Sequence, residues 1–387
     1  MNYVQPTDVQ LNVTALETMT KAIEQDIEQG VTNGAVVLVA RKGQICYTEA
    51  IGKTDIEENR PANINDNFFL MSLTKSYTAT VVLKAIEQGK FQLTTRIAEI
   101  FPQFAANGKE KVTIQHLLTH QCNLFNSFAP IPGLPNNDIT NLEAVAHAAA
   151  ALAPVNEVGK VCTYQPFITM SVLGYLLVLT DDKKRGYSQI MQDELFTPLG
   201  MQHSSIGHPS DNADTVPMVF CYGPAKNQKQ SVFLNHFPVG AEIPGANAYG
   251  TIFDVFTFTE MLRTGGSYNG VRILSPAMVR YAMNNFTGDL PNSSVVSEAY
   301  RLHMDIPPGN YGLAGGYMRG EGHHLVPMGL LASPKSFAAV GGGTTMAMFD
   351  PERELTFIYL GHGHTLGLEH FIRMQKLSDL VLGAIEQ

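Results

Sequence analysis

Gly34-Ala35-Val36-Val37-Leu38-Val39-Ala40, then Arg41-Lys42-Gly43, then Gln44-Ile45-Cys46-Tyr47-Thr48 is the run on which the fold turns. Apolar and β-branched residues on either side of a glycine-bearing turn read as a β-hairpin, with Gly43 in the turn. Upstream, Thr14 to Gln29 carries apolar residues at helical spacing. The far end mirrors this order: Thr344 to Phe349, the turn Asp350-Pro351-Glu352-Arg353, Leu355 to Leu360, and a helical tail from Leu368 to Ile385. Helix–strand–strand at one end and strand–strand–helix at the other predict one antiparallel sheet flanked by both terminal helices. The fold class is α/β (α+β).

Between the two ends the helical pattern dominates. Thr74 to Gln88, Ile114 to Leu118, Leu142 to Leu152, Ile168 to Thr180, Tyr187 to Phe196, Ile252 to Thr264 and Pro276 to Met283 all read as helices. Loops such as Pro130-Ile131-Pro132-Gly133-Leu134-Pro135 and 216–250 separate them. The expected organisation is a discontinuous sheet domain, residues 1–68 plus 305–387, with a mostly helical domain of residues 69–304 inserted in it. No Ser/Gly linker or internal repeat separates the two, so they should fold as one unit with the functional cleft between them.

Composition narrows the partners. The 387 residues are 44% hydrophobic and carry a formal charge of −9, with no basic cluster larger than Lys183-Lys184-Arg185. Nucleic acid and anionic membrane are therefore poor partners, and small or neutral substrates fit better. No apolar run approaches the ~18 residues of a membrane span. The first residues, Met1-Asn2-Tyr3-Val4-Gln5-Pro6, have neither a basic nor an apolar segment, so the expectation is a cytoplasmic protein, or a periplasmic or secreted one whose leader was removed. Cys46, Cys122, Cys162 and Cys221 are widely spaced and read as free buried thiols. His323-His324 and His362-Gly363-His364 lack metal-ligand spacing and read as loop histidines near strand ends. No cofactor is implied.

The chemistry concentrates in Phe69-Leu70-Met71-Ser72-Leu73-Thr74-Lys75-Ser76-Tyr77-Thr78. Leu73, Tyr77, Val81, Ala85 and Ile86 follow helical spacing, so Ser72 is expected to open an amphipathic helix, with Lys75 beside its hydroxyl. The positive end of the helix dipole favours an alkoxide on Ser72 and a neutral amine on Lys75. For Lys75 to act as a base near pH 7, its pKa must fall by roughly three units, about 4 kcal/mol of environment. Burial could supply this. One Ser-x-x-Lys spacing is expected by chance in a chain of this kind, and a helix N-cap serine with a solvated lysine would account for it.

The surrounding strings give the spacing its weight. Ala85-Ile86-Glu87-Gln88-Gly89-Lys90, Ile100-Phe101-Pro102, Thr113-Ile114-Gln115-His116-Leu117-Leu118-Thr119-His120, Phe196-Thr197-Pro198-Leu199-Gly200-Met201 and Gly270-Val271-Arg272-Ile273-Leu274-Ser275-Pro276 fall in order along the chain. On these strings the chain resembles the serine β-lactamase and penicillin-binding-protein superfamily, in its class C-like branch with family VIII carboxylesterases and related acyltransferases. The resemblance implies the β-lactamase/transpeptidase-like fold and roles for three motifs. Ser72 and Lys75 are the first. Tyr164, in Val161-Cys162-Thr163-Tyr164-Gln165-Pro166, stands at the second and is expected to move protons, its pKa lowered by cationic or hydrogen-bonding neighbours. Pro166 replaces the asparagine that usually ends this motif. The third falls in Phe337-Ala338-Ala339-Val340-Gly341-Gly342-Gly343-Thr344-Thr345, where Gly342 or Gly343 is expected to offer an oxyanion N–H together with that of Ser72, and Gly341 lies beside them.

That third motif lacks the family's cation, which would receive a substrate carboxylate. Ala339 and Val340 therefore weaken a β-lactamase or D-amino-acid peptidase assignment, as Pro166 does. The resemblance therefore implies a neutral small-molecule acyl ester or thioester as substrate, with an ester hydrolysed through a Ser72 acyl-enzyme. An acyltransferase shares the same acylation step, with an alcohol or amine replacing water. A non-catalytic binding protein of this fold would be expected to have lost Ser72, Lys75 or Tyr164. Phe125, Phe128, Met218, Phe220, Tyr222 and Phe233 are candidate walls of an apolar acyl pocket, and equally candidates for plain packing.

Overall fold

The computed structural model describes residues 3–124, 131–135, 138–209, 214–322 and 325–386. Among the described residues seven strands build the main sheet: β1 (Gly34–Arg41), β2 (Gln44–Asp55), β3 (Arg60–Pro61), β4 (Tyr317–Met318), β5 (Phe337–Gly341), β6 (Thr345–Asp350) and β7 (Leu355–His362). Their order is β4-β5-β6-β7-β1-β2-β3, and every pairing is antiparallel. The two chain ends meet at the centre, where β1 pairs with β7 along its whole length, from Gly34 opposite His362 to Arg41 opposite Leu355. The β1–β2 hairpin turns through Lys42 and Gly43, both with positive φ (54° and 76°), a geometry whose twist suits a two-residue hairpin.

All of β1 is buried, because both faces of the sheet are covered. Ala35, Val37 and Val39 enter one core with Leu16, Met19 and Ile23 of α1 (Val13–Glu28). Met374, Leu377 and Val381 of the C-terminal helix Gly367–Leu382 join the same core. Val36, Leu38 and Ala40 point the other way, into a core shared with the helices of the middle of the chain. A fully buried Val or Leu side chain contributes about 1.5–3 kcal/mol, so the period-2 alternation of β1 stabilises both layers.

Four further helices matter for the site. They are α2 (Thr74–Glu87), α3 (Leu142–Ala151), α4 (Pro166–Leu179) and α5 (Ile252–Arg263), and the C-terminal helix becomes α6. The sequence pattern predicted an amphipathic α2, and the structure corrects this. Thr74 through Leu83 are all buried, polar residues included, because α2 packs against α4 and the β5 edge. Thr78 Oγ1 lies 2.6 Å from Tyr187 Oη and donates to the Pro244 carbonyl, while the Ser76, Tyr77 and Thr80 hydroxyls are buried with no hydrogen-bond partner among the described residues. The stretch read as one helix from Tyr187 to Phe196 is an α-helical turn, Tyr187–Met191, that widens into a π-turn, Gln192–Phe196.

Candidate active site

The chain reaches Ser72 through a short strand, Asn67–Phe69, and a 3-10 turn, Met71–Leu73, that feeds α2. Ser72 therefore sits on a turn just ahead of the helix. Met71 has φ +50°, a conformation unusual for a residue with a side chain and a mark of local strain. Its surroundings hold it there. Leu70 N–H donates to the Ala248 carbonyl at 2.9 Å, and Ala248 N–H donates to Thr74 Oγ1 at 2.9 Å. Thr74 Oγ1 donates to the Met71 carbonyl at 2.6 Å, and Thr345 Oγ1, from β6, donates to the Leu70 carbonyl at 3.2 Å. The sheet edge and the turn are thus tied directly together.

Ser72, Lys75 and Tyr164 converge. Tyr164 Oη lies 2.6 Å from Ser72 Oγ and 2.8 Å from Lys75 Nζ. Lys75 Nζ also donates to the Ser72 carbonyl at 2.8 Å and stands 4.8 Å from the centre of the Tyr164 ring. The amine was expected beside the Ser72 hydroxyl, but the phenol occupies that place and bridges the two.

Burial drives Lys75 well below the ordinary lysine range, which favours its neutral form. The expectation of a lowered phenol is overturned. Burial raises Tyr164 above its ordinary value and the nearby Tyr317 adds to this, while the hydrogen bond to Ser72 works in the opposite direction. A neutral phenol between a hydroxyl and a neutral amine can accept a proton from one as it gives its own to the other. Such a relay needs no free phenolate.

The glycine turn after β5 closes the other side. A Cβ on Gly341 would stand 2.2 Å from the Leu70 carbonyl oxygen and 2.4 Å from Thr345 Oγ1, so only glycine lets this strand end approach the nucleophile turn. Gly342 (φ +44°) lies against the Met71 side chain. Gly343 (φ +71°) faces the Thr365 backbone instead. Of the two oxyanion candidates, Gly342 is the one that borders the Ser72 turn. Ala339 is a buried, uncharged residue of β5, and Pro166 opens α4 with its carbonyl against Gly245.

Met218 packs with Phe69, Val232 and Tyr249 in a small apolar cluster, with Met71 and Phe220 against it. Val216, Pro217 and Tyr249 also line a cavity of about 380 Å³ with His208 and His236. Tyr222 is 43% exposed and packs at a tilt against Phe220, and Phe233 opens a 3-10 turn. Phe125, Phe128, His323 and His324 lie outside the described residues. His362 ends β7, buried, with Nδ1 3.1 Å from the Lys53 carbonyl, and His364 packs edge-on to Phe220. The four cysteines are free and buried. Among the described residues no group of three or more His, Cys, Asp or Glu side chains is arranged to hold a metal, and no helix is long and apolar enough to cross a membrane.

Sequence reasoning missed the surroundings of Tyr164. His120 packs on its ring, with centroids 4.9 Å apart, and Tyr311 packs on His120 at 5.0 Å. His120 closes one of the strings that carried the family resemblance, and that was the available signal.

Comparison with known proteins bears on the family and the fold. The family model described as Beta-lactamase matches residues 19–373. The chain is 23% identical over 342 residues to Esterase/beta-lactamase LipL of Mycobacterium tuberculosis, a match covering 79% of this chain and 73% of LipL. A penicillin-binding-protein homologue from Caulobacter crescentus superposes with a TM-score of 0.75 at 20% identity, over 97% of this chain and 98% of that one. EstCE1, described as a hydrolase with promiscuous acyltransferase activity, superposes with a TM-score of 0.71 at 19% identity, over 94% of this chain and 98% of EstCE1.

Proposed function

The chain belongs to the Beta-lactamase family, and from that premise we propose that it is a serine esterase whose acyl-enzyme forms on Ser72. The observation that carries this reading is the bridge from Ser72 Oγ through Tyr164 Oη to Lys75 Nζ, at 2.6 and 2.8 Å, with the amine buried. Ser72 Oγ attacks the ester carbonyl while its proton passes to Tyr164 Oη, and the phenol proton passes to Lys75 Nζ. The backbone N–H groups of Ser72 and Gly342 receive the oxyanion. Collapse of the tetrahedral intermediate breaks the bond to the alcohol oxygen, which leaves with the proton returned through Tyr164. Water then repeats the sequence on the acyl-enzyme, releasing the acid and restoring Ser72.

An ester is favoured over a β-lactam because Ala339 puts no cation on the third motif, and Pro166 offers no side-chain amide. The apolar cluster of Phe69, Met71, Met218 and Tyr249 beside the turn supports an apolar acyl group. Acyl transfer to an alcohol or amine is the second reading, favoured by the likeness to EstCE1. Turnover of a short-chain p-nitrophenyl ester by wild type and by Ser72→Ala tests the proposal. Hydrolysis lost in Ser72→Ala supports it, and equal hydrolysis by both proteins removes it. Faster nitrophenol release with added alcohols, accompanied by a new ester product, marks the transferase.

A further inference from the structure

The relay works only if the Tyr164 phenol is held within hydrogen-bond reach of two partners at once. His120 grips the chain on both sides of that tyrosine. Its carbonyl accepts from Thr163 N–H at 2.9 Å, and its Nδ1 accepts from Gln165 N–H at 3.4 Å. The amide of Tyr164 itself donates to Ser294 Oγ at 2.5 Å. A backbone N–H can only donate, so Nδ1 is an acceptor and the proton of the neutral imidazole sits on Nε2. Thr169 Oγ1, in the first turns of α4, stands 3.2 Å from the same Nδ1.

The ring is also the packing surface for the tyrosine. The imidazole lies 4.9 Å from the Tyr164 ring, and its other neighbour is Tyr311 at 5.0 Å. Tyr311 in turn contacts Tyr317, which pairs with Ala338 of β5. His120 is only 2% exposed and has φ +56°, a left-handed conformation that histidine tolerates better than most residues. A strained, buried histidine with both a backbone and a side-chain hold on one peptide is more than filler.

We propose that His120 is a positioning residue for the Tyr164 phenol, fixing the tyrosine from its backbone on both sides and from its ring face. This rests on the reading of Tyr164 as the proton carrier. Burial, together with the charge that Lys75 carries when protonated, holds His120 well below the ordinary histidine range, so the imidazole stays an acceptor. A protonated ring would present a donor to Gln165 N–H and release it.

The test is a double-mutant cycle in the whole protein, read as kcat and KM on a p-nitrophenyl ester. His120→Gly accepts the left-handed backbone and deletes the imidazole. It should lower kcat about 10- to 100-fold, the scale expected when a reacting group is displaced by ~1 Å, with KM changed less than about threefold. His120→Asn, whose Oδ1 can accept in place of Nδ1, should recover most of the loss. In a Tyr164→Phe background His120→Gly should have almost no further effect, because a residue acting through Tyr164 has nothing left to position. His120→Ala, which cannot accept and strains the left-handed backbone less than a bulky side chain, replaces the glycine variant if that one does not fold. An equal loss in both backgrounds, or no loss in the wild-type background, overturns the proposal. A Tyr164→Phe enzyme with wild-type kcat overturns instead the reading on which it rests.

Discussion

Adding one methyl group at Gly341 should disable the enzyme without dismantling the sheet. The backbone of Gly341 lies outside the left-handed region, so alanine carries no conformational penalty there. The obstacle is contact: the new Cβ would fall 2.2 Å from the Leu70 carbonyl oxygen and 2.4 Å from Thr345 Oγ1. An ordinary contact begins near 3.4 Å, so β5 and the nucleophile turn must part by roughly 1 Å. That movement strikes the 3.2 Å bond from Thr345 Oγ1 to the Leu70 carbonyl, two residues before Ser72, and the neighbouring Gly342 N–H. Misplacement on this scale costs ~10²-fold in rate, about 3 kcal/mol of barrier, while overpacking destabilises by about 1–3 kcal/mol. Gly342→Ala makes the contrast. Its Cβ would meet the Met71 side chain, Cε at 2.4 Å, Cγ at 3.0 Å and Cβ at 3.3 Å, rather than a carbonyl, and its φ of +44° costs an alanine about 1–2 kcal/mol. Steady-state hydrolysis of a p-nitrophenyl ester, with urea unfolding in parallel, should show Gly341→Ala losing far more kcat than Gly342→Ala at similar stability. Wild-type kcat in Gly341→Ala would refute the tight apposition of β5 and the Ser72 turn.

Lys75→Met should change the pH dependence of stability. Because burial lowers the folded pKa of Lys75, the unfolded chain holds one more proton than the folded chain at every pH between that value and the ordinary 10.5. Across that window wild-type stability should rise by about 1.4 kcal/mol per pH unit relative to Lys75→Met, and urea titrations at two alkaline pH values would show a parallel pair if the amine is not depressed. The buried thiols should ignore reagents: burial pushes Cys46, Cys122 and Cys162 up to about 12. A chromogenic disulfide should thus label almost nothing in the native protein and all four cysteines in urea. Leu38→Ala, in the core shared with the middle helices, should cost about 2–5 kcal/mol by urea denaturation, and a loss under 1 kcal/mol would contradict its packing.

Much of the fold was legible because its signals are local. The β1–β2 hairpin, the matching strands β6 and β7 and both terminal helices follow from apolar period and turn residues, since each element buries a face set by its own sequence. Helix α2 misled, because Leu73, Tyr77, Val81, Ala85 and Ile86 mark one apolar face while Ser76, Thr78 and Thr80 are buried as well; what surrounds a central helix is decided by elements distant in sequence. The same limit applied to the site. Ser72, Lys75 and Tyr164, which the structure brings together, were singled out from motif and order, but not that the phenol rather than the amine touches Ser72 Oγ. Nor could the sequence tell that Gly342 faces Met71 while Gly343 faces Thr365. His120 acts on a tyrosine 44 positions away, and no local pattern encodes such a contact.

The central claim is that Ser72 becomes acylated. Wild-type protein and Ser72→Ala should be treated with a p-nitrophenyl alkylphosphonate, then digested and mapped by peptide mass. One phosphonyl group on the peptide containing Ser72, appearing as ester hydrolysis disappears and absent from Ser72→Ala, is the predicted result. Inactivation with the label on any other residue, or hydrolysis that persists when Ser72 is fully labelled, would contradict the account.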